Sequence, residues 1–406
     1  MIGRIERAAA NHDLLVLPEG TFPAYVLGDA NVEERSVQDA TEQLARIARA
    51  AGCVIVAGAA VHRGGALHNS AVVIDRDGTL AGSAEKIFLW HFDRQWFAPG
   101  SSIAPVTTSI GRLGVLICAD GRMPGIAREL VDRGAELLVM PTAWVTSGRD
   151  PRHLENLQAD LLARVRAFEN GVPFVAANKC GFELGMVAYC GKSQIVDAGG
   201  EVAVMGSQTQ EEVLSATIAI GAPHPYRAAV AAPPQRETAP GRALRIAIAA
   251  DSLPPDLAAR LRVLEADLGL AASGPDQFDA LDRLLAAVRL DARAAFDPGL
   301  LVAYRRAGYR IAVLDASSAH PWLERIARAR AAELRLYVVV FDREAHRAYA
   351  IDPDGSIIAG TFEGYALASF GLDPARTAQT LVAPGTDVAA GIELVAAISR
   401  PQASVS

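Results

Sequence analysis

Lysine is almost absent from this chain. Its 406 residues include three, Lys86, Lys179 and Lys192, against 36 arginines. Where a general surface cation would serve, the sequence uses arginine. A position that keeps lysine is therefore a candidate for a task that needs a compact ammonium rather than a planar fork. Chance retention suits Lys179 and Lys192, but the neighbours of Lys86 argue against it there. Cysteine is also scarce. Cys53, Cys118, Cys180 and Cys190 show no C-x-x-C spacing, which excludes a disulfide scaffold and makes a reducing cytoplasm the simplest setting. The eight histidines contain no H-x-x-x-H pair and sit beside no cluster at ligand spacing, so metal catalysis is unsupported. The longest apolar run, Ala50 to Val61, is too short to span a bilayer. The opening MIGRIERAAANHD lacks the apolar core and cleavage site of a signal peptide. A net charge of −7 with no basic stripe argues against nucleic acid as a partner.

What is present is ample core material, 51% apolar and 21% charged, enough for two domains or one domain with an appendage. Apolar runs at Leu14–Leu17, Cys53–Ala57, Ala71–Ile74, Val115–Ile117, Leu137–Met140, Phe174–Ala177 and Ser193–Val196 read as buried strands. Amphipathic stretches at Val37–Ala50, Gly125–Arg133 and Leu154–Asn170 alternate with them. That alternation predicts an α/β layered domain over 1–220. A Pro-, Ala- and Gly-rich linker is expected over 221–242. Beyond it the chain echoes itself. MPGIARELVDRGAELLVMPTA (Met123–Ala143) resembles DPGLLVAYRRAGYRIAVLDAS (Asp297–Ser317), and ARVRAFENGVPFVAAN (Ala163–Asn178) resembles ARARAAELRLYVVVFD (Ala327–Asp342). Residues 243–398 thus read as a divergent second copy of part of the first domain, followed by a tail over 399–406. Counting back from the shared Pro-Gly, Ala292 stands opposite Cys118, so the second copy lacks that thiol.

Glu19 follows LLVLP, Lys86 follows GTLAGSAE and Cys118 follows LGVLI, each closing a run. A carboxylate to move protons, an ammonium to hold a negative oxygen and a thiol to attack carbon make a full set for acyl chemistry. Cys118 lies between a strand-like run and a turn, ADGRMPG, that leads into a helix. Such a turn is expected to expose the side chain, and helix-start amides there lower a thiol pKa and bind an oxyanion. A buried structural cysteine is the competing reading, and Cys53 in AGCVIVAG fits it well. Cys180 and Cys190 flank a Gly-rich segment and could line a pocket.

HDLLVLPEGTFPAY, SAEKIFLWHFDRQWFAPG, LGVLICADGRMPGIARELVDRGAELLVMPTAW, RVRAFENGVPFVAANKCG and GKSQIVDAGGEVAV, in this order over about residues 10 to 205, resemble the nitrilase, or carbon–nitrogen hydrolase, superfamily. The resemblance implies an α-β-β-α sandwich with an appended α/β region like a degenerate half of the same fold. It also implies a Glu19/Lys86/Cys118 triad, no metal or organic cofactor, and dimers or larger homo-oligomers. The expected activity is hydrolysis of a small amide or N-carbamoyl substrate through a cysteine thioester, with the Ala119 N–H as a second oxyanion donor. Nitriles are disfavoured, because the superfamily's true nitrilases carry Trp after the cysteine and this chain has Ala119. Trp144, Arg122, Arg149 and Arg152 are candidate substrate contacts.

Three departures stand out. Asp93 occupies the slot of a second glutamate and is one methylene shorter, which puts its reach in question. Pro124-Gly125 replaces Pro-Glu. The chain begins inside the family's first helix, and ALRIAIAAD (Ala243–Asp251) looks like the missing opening strand, displaced. A non-catalytic scaffold, or acyl transfer to an amine from the same thioester, are the alternatives.

Overall fold

The computed structural model describes residues 1–27, 32–229, 232–236, 241–318, 320–363 and 365–399. Most of the expected tail and parts of the expected linker lie outside the described residues. The chain forms two compact units. Unit 1 is Met1–Pro225 together with Ala383–Thr386 and the segment from Ala390 onward; unit 2 is Tyr226–Val382 with Asp387–Ala389.

Unit 1 opens with α1 (Ile2–Ala9), β1 (Leu14–Val16) and α2 (Glu34–Ala51). Helix α2 buries Val37, Leu44, Ile47 and Ala48 on one face and stops at Gly52, which takes the left-handed conformation at φ 65°. Strands β2 (Val54–Arg63), β3 (Ala66–Ile74) and β4 (Leu80–Glu85) add to β1 in the order β1-β2-β3-β4. The second sheet is built from β5 (Val106–Thr108), β6 (Gly111–Val115), β7 (Leu137–Thr142) and β8 (Phe174–Asn178), with α3 (Pro124–Asp132) and α4 (Ala163–Asn170) between its strands. After the hairpin of β9 (Cys180–Glu183) and β10 (Val187–Cys190), β11 (Gln194–Val196) and β12 (Val202–Met205) complete it in the order β12-β11-β8-β7-β6-β5. Helices α1 and α2 cover the first sheet, α3 and α4 cover the second, and β1 and β2 pack against β7. The layering is α-β-β-α, because each sheet has one face for a helix stripe and one for the other sheet.

The helix expected over Leu154–Asn170 starts later. A π-turn at Gln158–Leu162 leads into α4. Asn156 explains the delay, since its Oδ1 accepts from Gln158 N at 2.9 Å and its own N–H donates to the Asp160 carboxylate at 2.9 Å. Both bonds cap the helix rather than extend it.

Unit 2 comprises β13 (Leu244–Ser252), α5 (Leu257–Val263), β14 (Leu268–Ser273), α6 (Phe278–Leu285), β15 (Ala287–Asp291), α7 (Pro298–Arg306), β16 (Ile311–Ala316), α8 (Leu323–Leu334), β17 (Tyr337–Asp342), β18 (Arg347–Ile351), β19 (Ile357–Gly360), β20 (Leu367–Leu372) and α9 (Pro374–Ala378). Helix α10 (Val388–Ile398) ends the described chain. The strand suspected of being displaced, β13, hydrogen-bonds within unit 2, parallel to β14 and antiparallel to β20. The order β15-β16-β17-β18-β19 repeats β6-β7-β8-β11-β12, with the same sequence of parallel and antiparallel pairings. One buried device recurs with it. Arg166 pairs with Glu169 and donates from Nε to Gly121 O at 3.0 Å; Arg330 pairs with Glu333 and donates to Ala295 O at 2.8 Å. In both units an arginine in the helix before the third parallel strand ties down the 3₁₀ turn after the first, Cys118–Arg122 in one and Ala292–Phe296 in the other.

Arg330 and Glu333 are both fully buried, so Arg330→Ala strips a carbonyl of its donor and leaves a buried carboxylate. The expected cost is about 3–5 kcal/mol, read as a lowered urea midpoint in equilibrium unfolding, whereas Arg325→Ala on the same helix should shift that midpoint little.

Candidate active site

Glu19, Lys86 and Cys118 are brought together from three chain segments at the ends of strands in both sheets. Glu19 follows β1, and its N–H donates across to Thr142 O, at the end of β7, at 3.4 Å. The turn carrying it lies so close to β2 that a Cβ on Gly58 would sit 2.5 Å from Pro18 O, so only glycine fits there. Lys86 follows β4; its N–H donates to Asn69 O and its carbonyl accepts from Gly100 N, each at 2.8 Å. Cys118 begins the 3₁₀ turn at φ 46°, a region that non-glycine residues seldom occupy and that the surroundings must hold.

The Lys86 ammonium lies 2.7 Å from Glu19 Oε1 and 2.6 Å from Asp93 Oδ2, with all three side chains fully buried. Burial works to lower the Lys86 pKa, but Asp93 and then Glu19 outweigh it and hold the group well above its ordinary value. Asp93 makes up its missing methylene through the 3₁₀ turn His91–Gln95, which curls back toward Trp90. Its Oδ2 also accepts from Trp90 N at 2.8 Å, and its Oδ1 from Tyr25 Oη at 2.8 Å. The doubt about its reach is removed.

Several residues not singled out in the sequence complete the cluster. Asn69 Nδ2 donates to Glu19 Oε1 at 2.7 Å. The buried Glu19 Oε2 has no hydrogen-bond partner among the described residues. Asp120 accepts from Ile87 N, Phe88 N and Ile117 N at 3.0, 2.7 and 3.0 Å, stapling the Lys86 segment to the Cys118 turn. A polar Asn inside the apolar strand β3 was the one visible signal for Asn69, and Tyr25 left none.

Two expectations for Cys118 are reversed. Its side chain is not exposed: only 5% of the residue is accessible. Its thiol is not poised low either. Burial and then the Glu19 carboxylate push it up to about 12, against the opposite pull of Lys86. Burial first, and the neighbouring carboxylate second, favour the neutral thiol at Cys118.

The other candidates scatter. Ala119 is buried beside Cys118. Trp144 is buried, its N–H donating to Asn178 Oδ1 at 2.6 Å and its carbonyl accepting from Cys190 N at 3.0 Å. The Arg122 guanidinium lies 5.0 Å over the Trp90 ring. Arg149 and Arg152 are exposed, beside Glu155 and Asp150. Lys179 and Lys192, for which chance retention was expected, both form ion pairs. Each is mostly buried in an ion pair, with Glu183 at 2.6 Å and Asp160 at 2.7 Å. Cys53 is fully buried, and Cys180 and Cys190 face each other across the β9–β10 hairpin. Among the described residues there is no group of three metal-ligating side chains, and no helix is long and apolar enough to cross a membrane.

A sequence model of the carbon–nitrogen hydrolase family matches residues 2–228, more than half of the chain. A probable nitrilase of Schizosaccharomyces pombe is 35% identical over 161 residues, 40% of this chain and 56% of its own length. An omega-amidase of Xenopus laevis is 32% identical over 232 residues, 52% of this chain and 79% of its own. Among solved structures, a carbon–nitrogen hydrolase from Helicobacter pylori aligns with 27% identity and a TM-score of 0.48, over 52% of this chain and 80% of that one.

Because the thiolate is the alkylated species and the Cys118 thiol is raised to about 12, its iodoacetamide rate should climb steadily with pH from 7 to 9.5. A plateau near pH 7 in peptide-mapped alkylation kinetics would mean a low-pKa thiolate instead.

Proposed function

The chain belongs to the carbon–nitrogen hydrolase family, and on that premise we propose that it hydrolyses a small amide or N-carbamoyl compound through a thioester on Cys118. The observation that carries this reading is one buried ammonium shared by Glu19 and Asp93 beside a cysteine at a strained turn. As substrate binds, Glu19 takes the thiol proton while Sγ bonds to the amide carbon. The electron pair moves onto the amide oxygen, where the Lys86 ammonium and the Ala119 N–H receive it. Collapse breaks the C–N bond, and Glu19 passes its proton to the departing amine. Water then attacks the thioester, giving a proton to Glu19. The C–S bond breaks, the acid leaves, and the proton returns to sulfur. Asp93 keeps Lys86 charged and aimed; it touches no reacting atom.

A neutral resting thiol suits this scheme, since the base then acts during attack. In this reading unit 1 is the catalytic domain, and unit 2 is a degenerate copy with Ala292 at the place of the nucleophile. The compartment we propose is the cytoplasm, where a catalytic thiol stays reduced.

Intact-mass spectrometry against a library of small amides tests the reaction. The parent should accumulate an acyl adduct that maps to Cys118, and Cys118→Ala should show neither adduct nor turnover while keeping its circular dichroism spectrum. Turnover by Cys118→Ala close to that of the parent would refute the nucleophile.

Lys86→Arg keeps the charge, but its planar fork cannot occupy the point between the two carboxylates. The expected loss in kcat is about 100- to 1000-fold, measured by steady-state kinetics on whichever amide the library identifies.

A further inference from the structure

The last stretch of unit 1 meets the two segments that carry Lys86 and Cys118, at a point the reaction scheme does not use. Thr386 is fully buried, and its hydroxyl accepts from His91 N at 2.6 Å. His91 itself has φ 43° and opens the turn that delivers Asp93. Beside this bond, Arg94 Nε donates to Gly385 O at 3.0 Å. A left-handed backbone followed by a tight turn holds its shape only where its amides have partners, and one of those partners comes from nearly 300 residues downstream.

Helix α10 adds a second contact. A Cβ on Gly391 would fall 2.5 Å from Phe88 Cε2 and 2.9 Å from Met123 Sδ, so the helix backbone rests directly on both side chains. Phe88 is two residues beyond Lys86, and Met123 ends the Cys118 turn; each is buried. One helical turn on, Val395 meets α3, where a Cβ on Gly125 would lie 2.9 Å from its Cγ1. Gly125 is the residue that stands where a glutamate was expected from the resemblance, and its missing side chain is what admits the helix. Asp120 staples the Lys86 segment to the Cys118 turn from within; Gly391 bears on the same two segments from outside.

We infer that Thr386 and Gly391 are positioning residues. The C-terminal segment acts as a clasp that sets where the Lys86 ammonium stands relative to the Cys118 sulfur. The inference rests on the reading of Lys86 and Cys118 as the reacting groups. It predicts a defect in the chemical step, because the clasp bears on His91, Phe88 and Met123, which support the segments carrying those groups. A displacement of about 1 Å in such supports can cost about 100-fold in rate.

The test uses full-length Thr386→Val, Thr386→Ser, Gly391→Val and Gly391→Ala, each checked by thermal unfolding and gel filtration. Two readouts are taken: kcat and KM on an amide the parent turns over, and the iodoacetamide rate at Cys118 at fixed pH by peptide mapping. Thr386→Val and Gly391→Val should each lower kcat at least about tenfold with KM changed less than about threefold. Thr386→Ser should restore parent values, because it keeps the acceptor, and Gly391→Ala should fall between. Since Lys86 pulls the thiol pKa down, withdrawing it should slow Cys118 alkylation in both valine variants.

If both valine variants keep kcat and the alkylation rate within twofold of the parent, or if Thr386→Ser is as impaired as Thr386→Val, the clasp is refuted. Should Gly391→Val fail to fold, the threonine pair decides alone. If the parent turns over no amide, the hydrolase reading fails while the alkylation rates still judge the clasp.

Discussion

One buried ammonium shared by two carboxylates is the constraint on which the rest of this molecule depends. Glu19, Lys86 and Asp93 are each fully buried. Three formal charges in a low-dielectric interior are tolerable only when closely paired and when the remaining lone pairs find donors. Asn69, Tyr25 and the Trp90 amide supply those donors. The exception is Glu19 Oε2, which has no hydrogen-bond partner among the described residues. In a structural ion pair that would be a flaw; in the proposed reaction it is the oxygen that takes the proton.

Such a cluster cannot be built on one element. Glu19 comes from the end of β1, Lys86 from the end of β4, Cys118 from the turn after β6, and Thr142 from the end of β7. Two sheets must therefore meet face to face with their strand ends in register. Unit 2 repeats the strand order and the buried arginine that ties down the first turn. At the matching turn it has Ala292, so this strand framework forms without a cysteine at that turn.

The layers were legible in the sequence wherever a local pattern carried them. Runs such as Leu137–Met140 and Phe174–Ala177 became strands because continuous apolar runs can be satisfied only between two layers. The turns Asp75–Gly78 and Asp197–Gly200 join antiparallel strands, with Asp and Gly supplying their geometry. The start of α4 was misplaced, because the capping bonds of Asn156 are side-chain choices that periodicity does not encode. Lys179 and Lys192 were read as incidental, since their partners Glu183 and Asp160 announce themselves only once the hairpin and the helix are folded.

Sequence alone determined which residue types sit at the strand ends: a glutamate, a rare lysine and a cysteine, in an order that resembles one family. It also determined that the second half lacks the thiol. Only the tertiary structure decided the state of that chemistry. Burial and the Glu19 carboxylate raise the Cys118 thiol to about 12, where the local turn alone argued for the reverse. The curl of a 3₁₀ turn brings Asp93 to 2.6 Å from Lys86, although its side chain is a methylene short. Residues near 390 reach Phe88 and Met123, a contact no local pattern contains. The reason is common to all three: a pKa, a reach and a packing contact depend on distances between segments far apart in the chain, and those distances exist only after the layers have closed.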